Sequence, residues 1–237
     1  MFIISKFTTI INKKWRNILT WYRIEYRLKS LKNYCTFTSE ESLMMQKLII
    51  ETDRLKIRNL KETDLMDFLF YRSNPEVTKY QGFDVFNKKQ AEAFIQDQIH
   101  KKFGKAGEWV QYGIENNKTH KIIGDCAIKL NQYDTRIAEI GITISHIEQK
   151  KAYAKETLIG ILSFLFEMDD FHRVSEIVDA ENIASIALLK SLGFKQEGHF
   201  IENVFFKGKW GSECQFAMLK SEWEVLKVNF IYDKTVK

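Results

Sequence analysis

Apolar positions recur along this chain with two different periods. From Lys47, "KLIIETDRLKIRNL" reads as an extended strand region, and "KETDLMDFLFYRS" follows as a helix with Thr63 or Asp64 as its N-cap. Asn74-Pro75, which uses the only proline, marks a turn. In "NKKQAEAFIQDQIHKKF" the residues Ala91, Phe94, Ile95, Ile99 and Phe103 return near one helical face. "EWVQYGIE" and "KIIGDCAIKL" are strands around "NNKTH", a hairpin signal, and "RIAEIGITIS" is a third strand. The helix "KETLIGILSFLFEM" buries Leu158, Ile161, Leu162, Leu165 and Phe166 as one stripe. The strand "VSEIVDA", the helix "SIALLKSLGF" and two strands through "IENVFFKG" and "SECQFAML" complete the pattern. Hairpins followed by β–α–β units predict a mixed sheet with helices packed on it, an α/β (α+β) class. No internal repeat or low-complexity segment interrupts it.

The first 44 residues stand apart. On a helical wheel Ile11, Trp15, Ile18, Leu19, Tyr22 and Tyr26 share a face, with Lys13, Arg16, Arg23 and Arg27 mostly opposite, although Trp21 and Ile24 spoil the polar side. A basic amphipathic helix of this kind lies on an anionic membrane surface or docks on a partner. The alternatives are a helix packed on its own domain and an upstream extension with no role, with Met44 or Met45 as the true start. The opening lacks the long apolar core and small-residue cleavage site of a secretory signal. The expected layout is a helical extension over 1–44, one domain over 45–227 and a C-terminal tail over 228–237.

Charge follows the same division. The net charge is +5, and residues 1–44 hold eight Lys or Arg against three Glu, which leaves the remaining 193 residues neutral. The body therefore has no basic bias that argues for nucleic acid. At 45% hydrophobic and 28% charged the composition is that of a soluble globular chain, without an apolar run long enough to span a bilayer. Cys35, Cys126 and Cys214 are odd in number and far apart, so a reducing compartment, the cytoplasm, is expected. The five histidines are scattered singly, and no metal is expected.

One stretch looks suited to a small anionic ligand. In "AEIGITIS" one face carries Ala138, Ile140, Ile142 and Ile144, and the other carries Glu139, Gly141, Thr143 and Ser145. The first face is core, and the second meets something polar or open. The strand leads into "QKKAYAKETL", a turn that opens a helix. A helix start just beyond a strand end offers unpaired N–H groups and the positive end of the dipole, a phosphate site by geometry. Lys150, Lys151 and Lys155 add positive charge. Taken alone, the same residues also read as a solvated helix entrance.

"TDRLKIRNLKETDLMDFLFYRSNPEVTKY", "AEIGITIS", "ENIASIALLKSLGFKQEG" and "GKWGSECQFAMLKSEW", in this order, resemble the GNAT N-acetyltransferase superfamily. The likeness is to the branch of the RimJ and RimL ribosomal-protein acetyltransferases, and it covers about residues 47–226. The resemblance implies a mostly antiparallel sheet, splayed where acetyl-CoA binds. Gln149, Lys150, Lys151, Ala152, Tyr153 and Ala154 stand at the loop whose amides take the CoA pyrophosphate. Ile142, Thr143 and Ile144 stand where strand backbone meets the pantetheine arm, with an N–H near Ile144 for the oxyanion. Asn182 and Ser185 stand at positions facing CoA, with a helix cap and an ordinary first-turn residue as their local alternatives. Glu139 stands at a general-base position, with an ion pair as its alternative.

Three departures are visible. Leu189 replaces a tyrosine that many relatives use to protonate the leaving thiolate. Ser212 and Phe216 replace an Asp and a Tyr common in the branch. Lys150 and Ala152 stand where glycine is typical. Alanine accepts the φ near −60° of a first helical turn, so the loop is expected to keep its backbone.

The implied function is acetyl transfer from acetyl-CoA to a primary amine, a protein N-terminus or a small molecule, by direct attack in a ternary complex. Cys126 is expected to be a strand residue and not a nucleophile. The rival is a weak or inactive binding module of the same fold, acting on a protein or membrane partner through residues 1–44. A longer acyl group is a third option. A bacterial source and a monomer or homodimer are expected.

Overall fold

The computed structural model describes residues 48–168 and 170–232. The N-terminal extension and its amphipathic face lie outside them, as do residues 233–237. Eight strands form one sheet in the order β1-β2-β3-β4-β5-β6-β8-β7. They are β1 Ile49–Glu51, β2 Leu55–Asn59, β3 Trp109–Asn116, β4 Ile122–Leu130, β5 Ile137–Ile144, β6 Arg173–Asp179, β7 Lys195–Phe206 and β8 Lys209–Leu219. The helices are α1 Leu65–Arg72, α2 Pro75–Thr78, α3 Lys88–Gln98, α4 Tyr153–Glu167, α5 Ile183–Ser191 and α6 Lys220–Tyr232. Every strand pairing is antiparallel except β5 with β6.

The period-two pattern decides the faces. Ala138, Ile140 and Ile142 on β5 stand opposite Leu130, Ile128 and Cys126 on β4, and this face carries the main core. Helix α4 covers it with the stripe read from the sequence, Leu158, Ile161, Leu162, Leu165 and Phe166 all being buried. Gly160 lets the helix approach β1, because a Cβ there would meet Ile50 Cγ2 at 3.2 Å. The other face is covered by α1 and α3, where Phe68, Tyr71, Ala91 and Ile95 form a second, smaller cluster with Leu60, Val77 and Ile122. Lys207 and Gly208, both with positive φ, make the two-residue turn between β7 and β8.

Three expectations change. Helix α3 ends at Gln98, so Phe103 lies beyond it and joins the main core instead of the α3 face. Asp64 does stand at the N-cap of α1, but its side chain makes no cap bond there. It accepts from Lys61 N and from both terminal nitrogens of Arg58 instead. The boundary expected at 227 is displaced by α6, which runs to Tyr232 and stacks Phe230 on Trp223 at 5.8 Å. An aromatic anchor near the chain end is what turns those residues into part of the domain. Asn74-Pro75 does more than turn. Asn74 caps α2, accepting from Glu76 N at 2.9 Å with proline at the first helical position.

Candidate active site

Strands β5 and β6 run side by side for only three residue pairs, Ile137 with Arg173, Ala138 with Val174 and Glu139 with Ser175. Beyond them Ile140–Ile144 pairs only with β4, and Glu176–Asp179 only with β8. The sheet therefore contains a wedge-shaped gap, with unpaired backbone groups on both of its edges. Backbone polar groups ask for partners, and a gap of this kind accepts an extended ligand that supplies them.

At the open end of the gap the chain leaves β5 through a short 3-10 turn, His146–Glu148, and reaches α4. Gln149 Nε2 donates to Ile144 O at 3.2 Å, tying the turn back to the strand. Gln149, Lys150, Lys151 and Ala152 are exposed, and Tyr153 and Ala154 open the helix, half-buried. Ala152 is the N-cap of α4 and offers no side-chain cap, so the first N–H groups of the helix face outward unclaimed by it. Ala152 does not take the helical φ expected of it. Its φ is +62° and that of Lys150 is +61°, both left-handed. Eight residues, 145–152, carry the chain from β5 to α4, and the two left-handed residues turn it in the last four of them, after the 3-10 turn. For residues with a Cβ this conformation costs about 1 kcal/mol each.

The turn is held from outside by a residue the sequence pattern did not single out. Arg54, in the β1–β2 turn, donates to Glu156 Oε2 at 2.6 Å and to Lys151 O at 3.1 Å, and lies over the Tyr153 ring at 4.4 Å. Glu156 also accepts from Thr52 Oγ1 at 2.6 Å and from Arg54 N at 2.9 Å. Tyr153 accepts in turn from Asn116 Nδ2 at 3.3 Å. Of the three lysines, Lys151 pairs with Glu148 at 3.0 Å and Lys155 lies over Phe230 at 5.5 Å. Lys150 has no ion-pair partner among the described residues.

Glu139, the last residue of β5 paired with β6, is ion-paired with Lys129 at 2.5 Å, both side chains 28% exposed, and Lys129 lies over Trp109 at 4.6 Å. Next to it, a Cβ at Gly141 would meet nothing within 4 Å, so there is open room on this face. That openness is local: Thr143 and Ser145, expected on the same polar face, are buried. Ile142 is half-buried and Ile144 buried on the core face. Asn182 caps α5, its Oδ1 accepting from Ser185 N at 3.2 Å, so the local alternative for this pair is realised. Cys126 is fully buried, and burial followed by the charge of Asp125 pushes its thiol up, which suits a core residue.

Two buried carboxyl groups flank this region. Asp125, on the face with Glu139 and Thr143, accepts from Tyr71 Oη at 2.8 Å and Arg72 Nε at 3.0 Å, and also from Arg72 Nη2 and Gln111 Nε2. Glu176 is the first residue of β6 past the last pair with β5. It is 5% exposed on the core face, its Oε2 has no partner, and burial with the nearby Glu139 charge pushes its carboxyl up to about 8. The signal for Glu176 was present in "VSEIVDA", where it shares a face with Val174 and Val178 and is the one charged residue on a core-facing stripe. Among the described residues no group of three His, Cys, Asp or Glu could hold a metal, and no helix is long and apolar enough to cross a membrane.

The family model for an acetyltransferase (GNAT) domain matches residues 54–195. The N-acetyltransferase p20 of Bacillus licheniformis, itself uncharacterized, is 30% identical over 173 residues, 73% of this chain and 96% of the relative. A spermidine N(1)-acetyltransferase of Vibrio cholerae is 29% identical over 96 residues, 40% of this chain and 55% of that protein. Among solved structures, a GNAT-family acetyltransferase from Bacillus anthracis superposes with a TM-score of 0.66 at 23% identity, over 74% of this chain and all of that one. The spermidine N-acetyltransferase of Vibrio cholerae, solved with CoA and spermine, superposes with a TM-score of 0.62 at 23% identity, over 73% of this chain and 99% of that one. With the splayed sheet, these matches establish that the chain belongs to the GNAT acetyltransferase family and is an acyl-CoA-dependent acetyltransferase.

Proposed function

We propose that the chain transfers acetyl from acetyl-CoA to a primary amine by direct attack in a ternary complex, with the coenzyme lying in the gap between β5 and β6. The observation that carries this reading is the pairing pattern. Two strands part after three residues, and an uncapped helix N-terminus stands at the mouth of the opening. The unpaired edge over Ile142–Ile144 suits the amides of a pantetheine arm. The exposed turn from Gln149 to Ala154, with Lys150 unpaired, suits a pyrophosphate. Asn182 and Ser185 stand on the element after β6, across the gap, where the amide nitrogen of Asn182 is left over by its cap bond.

In this reading Glu139 takes the proton that an incoming ammonium must lose before its nitrogen attacks the thioester. The room at Gly141 admits the amine beside it, and Lys129 orients the carboxylate by its ion pair. A polyamine is the first acceptor to try, since relatives named as spermidine acetyltransferases match both sequence and fold. A protein N-terminus is the second, from the RimJ/RimL-like motifs. The work is placed in the cytoplasm.

The decisive experiment is calorimetric titration of acetyl-CoA into the full chain and into a chain lacking residues 1–44, followed by a screen of spermine, an amino sugar and an N-terminal peptide. Saturable binding to both forms is expected, and absence of binding to either folded form overturns the reading. Glu139→Gln is expected to lower the rate about 10²-fold at neutral pH, with acetyl-CoA affinity kept. An unchanged pH–rate profile would remove Glu139 as the base.

A further inference from the structure

We propose that Glu176 is the proton donor to the sulphur of the departing coenzyme A, at the closed end of the gap between β5 and β6. This rests on the reading of that gap as the acetyl-CoA site. A coenzyme anchored by its pyrophosphate at the start of α4 runs back along the free edge of β5. Five residues without a β6 partner, Ile140 to Ile144, give that edge a length of about 16 Å. Its reactive end then lies where the strands close. Glu139 occupies that point on β5, paired with Ser175, and Glu176, the next residue of β6, turns to the opposite, core face of the sheet.

The surroundings of Glu176 supply no other purpose for a carboxyl group. Its strand neighbours on the same face are Val174 and Val178, and Phe216 stands opposite on β8. The buried Leu189 of α5 belongs to the same core cluster as these three. None of them offers a hydrogen bond. Oε2 is fully buried and unpartnered. The charge that acts on it is that of Glu139, on the other face of β5, which repels a second negative charge, and Cys214, on its own face of β8, is engaged by Gln196 Nε2 at 3.5 Å. No lysine, arginine or histidine is among the groups that act on it. A buried, unpaired carboxyl group is costly when ionised and tolerable when protonated, and a protonated one is a donor. Burial and the Glu139 charge push it up to about 8, so at neutral pH it holds its proton. That is near the value of about 8.5 for an ordinary thiol, a match that favours transfer in the direction of the thiolate. Neither Leu189 nor Phe216 carries a hydroxyl that could do this instead.

The step balances as follows. The ammonium first gives one proton through Glu139 to solvent, the freed lone pair forms the bond to the thioester carbon, and the second surplus proton on nitrogen leaves to water. The carbon–sulphur bond breaks with its electron pair on sulphur. The Glu176 proton passes to sulphur, giving the thiol and a carboxylate, which regains a proton from solvent when the products leave. One ammonium and one thioester become one amide, one thiol and one released proton.

The test uses the full chain labelled with 13C at the glutamate carboxyls, titrated by NMR free, with saturating CoA, and with saturating desulpho-CoA, which lacks the sulphur. Glu176→Gln identifies the resonance, and Glu176→Leu does so independently if the first variant folds poorly. The free midpoint is expected near 8. CoA is expected to displace it by at least about half a pH unit more than desulpho-CoA does, because only CoA presents a titrating group at that point. A free midpoint in the ordinary carboxylate range, or equal midpoints with the two ligands, overturns the proposal. Calorimetry on the same samples separates the two levels. If neither coenzyme binds, the reading of the gap falls, and Glu176 falls with it. If both bind and the midpoints coincide, only the role of Glu176 falls.

Discussion

Asp125 and Glu176 are buried in opposite faces of one sheet and are treated in opposite ways. Asp125, 0% exposed, accepts from Tyr71, Gln111 and two nitrogens of Arg72. Those donors come from α1 and β3, so the carboxylate ties a helix to the sheet. Glu176, 5% exposed, has an oxygen with nothing to accept from and lies among apolar side chains. Burial alone therefore says little about what an acidic residue does. A buried carboxylate surrounded by donors is a structural rivet, and removing it harms the fold. A buried carboxyl left bare is a proton held in reserve, and removing it relieves the fold.

The strongest way to break this contrast is Asp125→Asn. Arg72 is 2% exposed and one of its nitrogens is already unpartnered, so the variant leaves a buried cation without its counter-charge. A loss of about 3–5 kcal/mol is expected in denaturant unfolding, and a loss below about 1 kcal/mol would dissolve the distinction.

Glu176→Gln comes next and moves two quantities in opposite directions. The kcat for whichever amine the screen accepts is expected to fall about 10²-fold, with the acetyl-CoA affinity within about threefold. Stability responds with a definite sign. The folded carboxyl sits at about 8 against an ordinary 4.5, so the folded state holds a proton that the unfolded state releases. The stabilisation from that proton is complete below 4.5 and is lost as pH rises through about 8, at up to about 1.4 kcal/mol per pH unit. Unfolding of the variant at pH 5, 7 and 9 is expected to lack this slope. A slope equal to that of the parent chain would mean that Glu176 is not the group that titrates.

Ala152→Gly is the smallest change and sharpens the comparison from a third side, since Ala152 is strained where Asp125 is satisfied. The left-handed φ of +62° suits glycine, so the variant is expected to gain about 1 kcal/mol, a rise of roughly 2–4 °C in Tm. CoA affinity is expected to hold or tighten, and a substantial loss would show that the methyl group contributes to the site.

Much of this could be seen before any coordinates. The helical stripe of α4 and the apolar face of "AEIGITIS" marked the main core, because period and burial share one cause, whereas the alternation did not foretell that Thr143 and Ser145 are buried on the other face. The N-cap at Asn182 was legible for the same local reason. What escaped depended on residues distant in sequence. Arg54 reaches Glu156 and Lys151 across the fold, and no periodicity marks it. The φ of Ala152 is dictated by the path between strand and helix, which the residue's own preference for helix does not reveal. Glu176 was visible as a charge on a core stripe, but its meaning required knowing that β5 turns away beside it. The final helix was missed because "KSEWEVLKVNF" has a weak stripe, and only Trp223 and Phe230 give it a reason to dock.

The gap in the sheet also bears on how the chain reaches its native state. β1 to β5 follow one another as sequential antiparallel neighbours, with α1, α2 and α3 inserted between β2 and β3, and β7 and β8 form a hairpin. The halves meet through the three rungs between β5 and β6, reached by a parallel crossover through α4. That crossover must be closed before any rung forms, and three rungs repay its entropy poorly, where the five rungs of β2 with β3 repay theirs better. The joint that stands open for a ligand is thus also the seam expected to close last during folding.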